Sequence, residues 1–196
     1  MMRFGNCYAG FFFAFVACQP DAKLNTLVAK DSTIKTTIFQ DPTPKLGRRR
    51  IKPFKINAPV KLIVVKKQAN TLLAYFGDTF KVYKVALGAN PIGHKVQRGD
   101  NRTPEGTYDV VLKNPNSRGY KALKISYPNL DDKHKAWQVG LDPGGDICIH
   151  GLWWDTQDPL THWQSNWTQG CIALNNQQID ELYQYTAVGT KVEILP

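Results

Sequence analysis

The chain has 196 residues, enough for one domain with a substantial hydrophobic core and a short appendage. Hydrophobic residues make up 42% and charged residues 21%, a globular balance that excludes a disordered tail. A formal net charge of +9 points to an anionic partner, with nucleic acid, membrane headgroups and a carboxylate-rich polymer all open at this level.

Residues 1–18 read as an export signal. Arg3 is the one charge before Asp21, Tyr8 to Val16 is almost wholly apolar, and a small residue, Ala17, precedes Cys18. The apolar run is about half the ~20 residues that a spanning helix needs, so it is not read as a transmembrane anchor. Phe15-Val16-Ala17-Cys18 resembles a lipobox, which implies cleavage before Cys18, lipidation of its thiol and a lipid anchor in the membrane. Phe15 stands where leucine is usual, and an ordinary signal peptide cut a few residues later is the alternative. An export signal sets nucleic acid aside as a partner. Residues 19–58 read as a linker broken by Pro20, Pro42, Pro44 and Pro53, with a basic cluster at Lys45, Arg48, Arg49, Arg50, Lys52 and Lys55. The cluster is either attracted to acidic headgroups or wall polymer, or is a solvated arm.

Residues 59–196 read as one mainly β domain with few helices, of the α+β class. Strands are predicted at Val60 to Val65, Leu72 to Phe76, Phe80 to Leu87 and Thr107 to Leu112. They are rich in β-branched and aromatic residues and punctuated at Gly77-Asp78, Gly88 to Pro91 and Asn114 to Asn116. Lys121 to Tyr127 alternates as a half-buried strand does, Asp146 to His150 is a short strand, and Lys191 to Leu195 closes the domain. One helix is clear over Gln177 to Tyr185, with Ile179, Leu182 and Tyr183 on one face and Asn175 or Asn176 as its cap. Asp131 to Trp137 is a shorter candidate helix. His94 and His134 are expected on surface loops.

The four cysteines are Cys7 and Cys18 in the signal and Cys148 and Cys171 in the body, too few for a disulfide scaffold. A thiol enzyme needs an ionisable cysteine, a base and amide donors for the developing oxyanion. Ile149-His150-Gly151 offers an imidazole at the end of a strand, with the Gly151 carbonyl able to orient the ring. Asn166 to Cys171 (NWTQGC) offers the thiol, and Gly170 lets backbone approach substrate closely. On a strand Cys148 points the same way as His150, so it is either a partner for Cys171 in a redox-sensitive disulfide or core filler. Cys148, His150, His162 and Cys171 lack the paired spacing of zinc sites, so no metal and no cofactor is expected. Trp153, Trp154, Trp163 and Trp167 form either a lid or core packing. The Gly99 to Gly106 loop either borders the cleft or is a structural turn.

The pattern His-Gly, a gap of 16 residues from Leu152 to Trp167, then Thr-x-Gly-Cys resembles the signature of the L,D-transpeptidase (YkuD-type) family. Leu87 to Lys95 (LGANPIGHK), Gly99 to Tyr108 (GDNRTPEGTY), Asn114 to Asn129 (NPNSRGYKALKISYPN) and Asp142 to Gly151 (DPGGDICIHG) extend the similarity over roughly Pro59 to Pro196. The resemblance implies an L,D-transpeptidase-like β-sandwich with a helix after the cysteine. It also implies Cys171 as nucleophile, His150 as base and the Gly170–Cys171 backbone in the oxyanion hole; Thr168, Gln169, Trp153 and Arg118 are further candidates for the oxyanion or substrate. The partner implied is a peptidoglycan stem peptide, attacked at its third residue with release of D-Ala and transfer to an amine.

Two positions depart from the family pattern. Gln169 stands where histidine is common, leaving His150 as the nearby base, and Ala173 stands where arginine is common. Another cation must then meet the substrate carboxylate, or the substrate differs. Arg118 and Arg102 are candidates, with structural ion pairs as the other reading of Arg102. Hydrolysis of stem peptides or of a wall–lipoprotein link stays open beside transfer, as does a non-catalytic wall-binding module. No pattern in the sequence sets an oligomeric state.

Overall fold

A computed structural model describes residues 55–153 and 158–196. The export signal, Cys18, Trp154 and the basic cluster apart from Lys55 therefore lie outside the described residues.

Among the described residues the domain has eight strands and two α-helices: β1 (Leu62–Lys66), β2 (Thr71–Phe76), β3 (Thr79–Lys84), β4 (Gly106–Ser117), β5 (Tyr120–Ile125), α1 (Leu130–Gln138), β6 (Cys148–His150), β7 (Ile172–Ala173), α2 (Asn176–Tyr185) and β8 (Lys191–Leu195). They form one sheet in the order β3-β2-β1-β8-β4-β5-β6-β7. The last strand in sequence, β8, sits mid-sheet, parallel to β1 and antiparallel to β4. The long β4 is shared by both halves of the sheet. Register shifts between Val110 and Leu112 and between Asn114 and Ser117 bend it, as bulges do.

The expected sandwich takes the form of a half-barrel, because the chain leaving β3 returns to the far edge. Ala86 bridges Ala173 of β7 through a pair of backbone bonds of 3.0 and 2.8 Å, and Gly88 bridges Thr168. Ile63, Val65, Leu72, Leu123, Ile149, Ile172 and Val192 are fully buried in the enclosed core. At about 25 cal/mol per Å² of apolar surface, each such side chain contributes roughly 1.5–3 kcal/mol. Packing reaches back to Ile56, a few residues inside the stretch read as linker: Ile56 is buried and its N–H donates to Glu181 Oε1 at 3.1 Å.

Helix α2 lies where the apolar spacing predicts it, with Ile179 and Leu182 fully buried and Tyr183 packed against the core. Its cap is Asn175, whose side chain accepts from Gln178 N–H while the Gln178 side chain accepts from Asn175 N–H. The neighbouring Asn176 uses its side chain differently, accepting from Leu152 N–H at 2.8 Å. That bond fixes the chain just after His150-Gly151.

Three local predictions differ from what forms. The strand predicted over Phe80 to Leu87 stops at Lys84, since Val85 to Leu87 turn away to meet the segment around Cys171. Asn114 to Asn116, predicted as punctuation, lie within β4, where Pro115 is tolerated at the bulge because an unpaired position needs no N–H. Strand β7 has two residues, too few for any periodicity to reveal.

The loop between β3 and β4 is tied down by charge. Lys67, buried at the end of β1, donates to the carbonyls of Gly93 and Thr103 and pairs with Glu105 at 2.7 Å. Asp100 accepts from Lys95 and from the amides of Val96, Gln97 and Arg102. Burial opposes its charge, but these donors hold the carboxyl below the usual carboxylate range. His94 lies on this loop, half-buried and tied into the same scaffold. Its Nδ1 accepts from Glu105 N–H and its Nε2 lies 3.2 Å from Asp132 of α1. His134 is exposed, as expected, but on α1 rather than on a loop.

Candidate active site

Cys171 immediately precedes β7 and His150 ends β6, and the parallel pairing of these two strands brings imidazole and thiol together. The His150 ring is buried, and its Nδ1 lies 2.6 Å from the Gly151 carbonyl, to which it donates, leaving Nε2 for the thiol proton. Trp167 packs edge-on to the ring at 6.1 Å between centroids. Gly119, in the β4–β5 turn, closes the opposite side. A Cβ there would lie 2.6 Å from His150 Nδ1, and the Gly119 carbonyl accepts from Gly151 N–H at 2.9 Å. Sequence reasoning did not single out Gly119. The available signal was a glycine in a short hairpin turn within a segment that resembles the family.

The Thr168-Gln169-Gly170-Cys171 turn is stapled by one hydroxyl. Thr168 Oγ1 accepts from Gly170 N–H at 3.1 Å and donates to the Cys171 carbonyl at 2.7 Å. Gly170 has φ +126°, and a Cβ there would stand 2.5 Å from the Arg102 carbonyl, so only glycine fits. The Gly170 amide, expected to face an oxyanion, is thus directed to Thr168, and Gly170 contributes the turn itself. Among the described residues no backbone bond outside the strand ladders engages the Cys171 amide.

The thiol sits among donors. Cys148 N–H lies 3.4 Å from Cys171 Sγ. A hydrogen bond from the Cys148 thiol, followed by the hydrogen bond and charge of His150, outweighs burial and holds the Cys171 thiol well below its ordinary value. Burial opposes the His150 imidazolium, but Cys171 and the Gly151 carbonyl raise it above its ordinary value. Cys148 moves the other way, raised by its bond to Cys171 and by burial, so it stays protonated. Both shifts favour a thiolate–imidazolium pair, with a second thiol beside it.

The signs of these shifts define a pH window. Thiolate persists to pH values below the ~8.5 of a free thiol, and imidazolium persists above ~6.5. Alkylation of Cys171 by iodoacetamide is expected to proceed near pH 6, where an ordinary thiol is almost silent. Replacing His150 by alanine should move the midpoint of the rate–pH curve upward. An unchanged midpoint would show that the imidazole does not charge the sulfur.

Two cavities meet at Cys171. One of about 280 Å³ is polar and is lined by Lys95, Arg98, Asp146, Gln169 and the glycines Gly99, Gly144 and Gly145. The other, about 320 Å³, is lined by His150, Trp153, Trp167, Thr168 and Gln169. The Gly99 loop therefore does border the cleft. Trp153 and Trp167 stack edge-on at 5.9 Å, whereas Trp163 stands apart, donating to the Leu160 carbonyl and facing Lys84.

Of the candidate cations, Arg118 lies 4.5 Å over the Trp153 ring and has no acidic partner among the described residues. Arg98 is paired with Asp142 and Lys95 with Asp100. Arg102 does not form the expected ion pair among the described residues; its guanidinium faces the His94 carbonyl. Ala173 is fully buried in β7, so its side chain is not exposed at the cleft. The described His, Cys, Asp and Glu residues form no group of three suited to a metal, and His162 turns its Nδ1 to the Pro159 carbonyl.

A thiol and a buried imidazole are thus held together by adjacent parallel strands, an arrangement suited to nucleophilic cysteine chemistry. The YkuD model, described as an L,D-transpeptidase catalytic domain, matches residues 60–194, and the chain belongs to this family. Two similar curated proteins are provisionally named L,D-transpeptidases. YafK of Escherichia coli K12 is 29% identical over 136 residues, covering 66% of this chain and 48% of its own. YqjB of Bacillus subtilis 168 is 30% identical over 137 residues, covering 67% and 69%. This chain thus spans about half the length of YafK. Among solved structures, the helical cell shape determining protein Pgp2 of Campylobacter jejuni aligns with a TM-score of 0.52 at 28% identity, covering 70% of this chain and 48% of that one.

Proposed function

We propose that this protein is a peptidoglycan L,D-transpeptidase. Cys171 attacks the carbonyl of the third residue of a stem tetrapeptide, a thioester forms as terminal D-Ala leaves, and an amine takes the acyl group. The observation that carries the reading is the Cys171 thiol, beside His150, at the point where two cavities meet, which suits one acyl donor and one acceptor. His150 takes the thiol proton and returns it to the departing amine. The Cys171 amide is the oxyanion donor we favour, since preorganised backbone dipoles act most strongly in a partly dry site. Trp153, Trp167 and Gln169 would line the path of the peptide. Residues 1–18 support export, with Cys18 as a lipid anchor, and the likeness to Pgp2 supports a part in cell shape.

Arg118 is our candidate for the substrate carboxylate. Its planar fork is pre-positioned on Trp153, and the buried Ala173 offers no competing charge. Arg118→Ala is expected to raise KM about tenfold with little change in kcat, the result of losing a charge-assisted bond made equally before and during reaction. An unaltered KM would remove Arg118 from the site.

The reading is tested by mass spectrometry of the purified protein incubated with a disaccharide-tetrapeptide. Joined stems with loss of one D-Ala per bond establish transfer. D-Ala release without joining makes the enzyme a hydrolase, and the absence of any adduct on Cys171 overturns the acyl-enzyme.

A further inference from the structure

We propose that Cys148 and Cys171 form a reversible oxidation site, in which Cys148 resolves an oxidised Cys171 into an intramolecular disulfide. The parallel pairing of β6 with β7 sets Ile149 beside Ile172 and His150 beside Ala173. One step back along this register sets Cys148 beside Cys171. Neighbouring strands lie about 4.8 Å apart, inside the roughly 4.4–6.8 Å between α-carbons that a disulfide spans. Side chains at matched positions of parallel strands leave the sheet on the same face.

Contacts in the structure agree with that register. Cys148 N–H reaches Cys171 Sγ at 3.4 Å, and the two sulfurs lie 3.6 and 3.7 Å from the same acceptor, the Asp146 carbonyl oxygen. Both cysteines are free and half-buried, and Cys171 lines both cavities, so a small oxidant reaches it from the cleft. A thiol packed as filler would have no reason to share donors and acceptors with the reactive sulfur. The proposal shares Cys171 and His150 with the transpeptidase reading but needs no peptide substrate.

The chemistry balances with a hydroperoxide as oxidant. The Cys171 thiolate takes the terminal oxygen of ROOH as the O–O bond breaks. With one proton from the His150 imidazolium, the products are a sulfenic acid and ROH. The Cys148 sulfur then attacks the sulfenyl sulfur, the S–S bond forms, the S–O bond breaks, and the oxygen leaves as water carrying the Cys148 proton. The hydrogen bond to Cys171 and burial both keep Cys148 protonated, and the contribution of Cys171 is lost with the thiolate in the first step. The resting pair therefore waits, and oxidation of Cys171 itself frees the second thiol to react. A bridge at the short end of the spacing window is expected to be reduced readily by an external dithiol.

The test treats the purified full chain with one equivalent of hydrogen peroxide, alkylates free thiols and maps peptides by mass. The expected product is a Cys148–Cys171 peptide pair, lighter than the reduced pair by two hydrogen atoms, with Cys171 alkylation restored by dithiothreitol. In Cys148→Ser the same treatment should add oxygen atoms to Cys171, leaving about tenfold less thiol recoverable by dithiothreitol. Stable oxygen adducts on wild-type Cys171 without the pair, or pairing of Cys171 with Cys7 or Cys18 instead, would overturn the proposal. The wild-type map does not depend on the variant folding. Because the readout counts thiols rather than turnover, failure of the transpeptidase reading leaves it unmoved.

Discussion

Cys171→Ser is expected to abolish turnover, by ~10⁴-fold or more, while the protein keeps its fold and still binds stem peptide. The sulfur is stabilised as an anion by the Cys148 N–H and thiol and by the His150 imidazolium. A hydroxyl in the same place ionises many units higher, so the resting ion pair is lost and His150 must act on a poorer nucleophile. The substitution is small, and Cys171 is half-buried, so the melting temperature should move little. Mass spectrometry of the variant with tetrapeptide should show neither thioester nor ester. Turnover near the wild-type level would mean that another residue attacks the carbonyl.

Gly119→Ala is expected to lower kcat by about a hundredfold without touching a group that reacts. The added methyl would stand 2.6 Å from His150 Nδ1 and 3.2 Å from the Gly151 carbonyl that the ring engages. Nothing there yields cheaply. The ring is buried against Trp167, and the Gly119 carbonyl is itself bonded to Gly151 N–H. Either the imidazole swings from Cys171 or the hairpin lifts, and a displacement near 1 Å is enough to break productive alignment. The accompanying sign is a higher pH midpoint for Cys171 alkylation, which a purely structural weakening would not produce. Unchanged kcat and midpoint would show that the hairpin relaxes freely.

How much of this was legible in the chain depends on the length scale of each signal. The helix after Cys171 carried both a 3.6-residue apolar period and a capping asparagine, so it was readable from residues close in sequence. His150 and Cys171 were visible as a candidate pair because each carries reactive chemistry and the surrounding segments resemble one family. Gly119 was hidden because its importance comes from how closely another strand's side chain approaches, which no local pattern encodes. Strand β7 was hidden by its brevity, and Val85 to Leu87 because long-range pairing with the Cys171 segment overrides a run that reads as one strand. Gly170 was readable as a turn, but the destination of its amide rested on the Thr168 hydroxyl, a side-chain choice that turn propensity does not contain.

The place of β8 in the sheet bears on how the chain is made. Its partners β1 and β4 both precede it in synthesis, yet without it they have no direct pairing to each other in the sheet order. Within the sheet β1 and β4 can be joined only after Lys191–Leu195 has emerged, while Ala86 and Gly88 connect to Ala173 and Thr168 at the far edge. Sheets closed by such distant segments form slowly. The join between β1 and β4 through the sheet is therefore a late event, made after the chain that carries Lys191–Leu195 is in place.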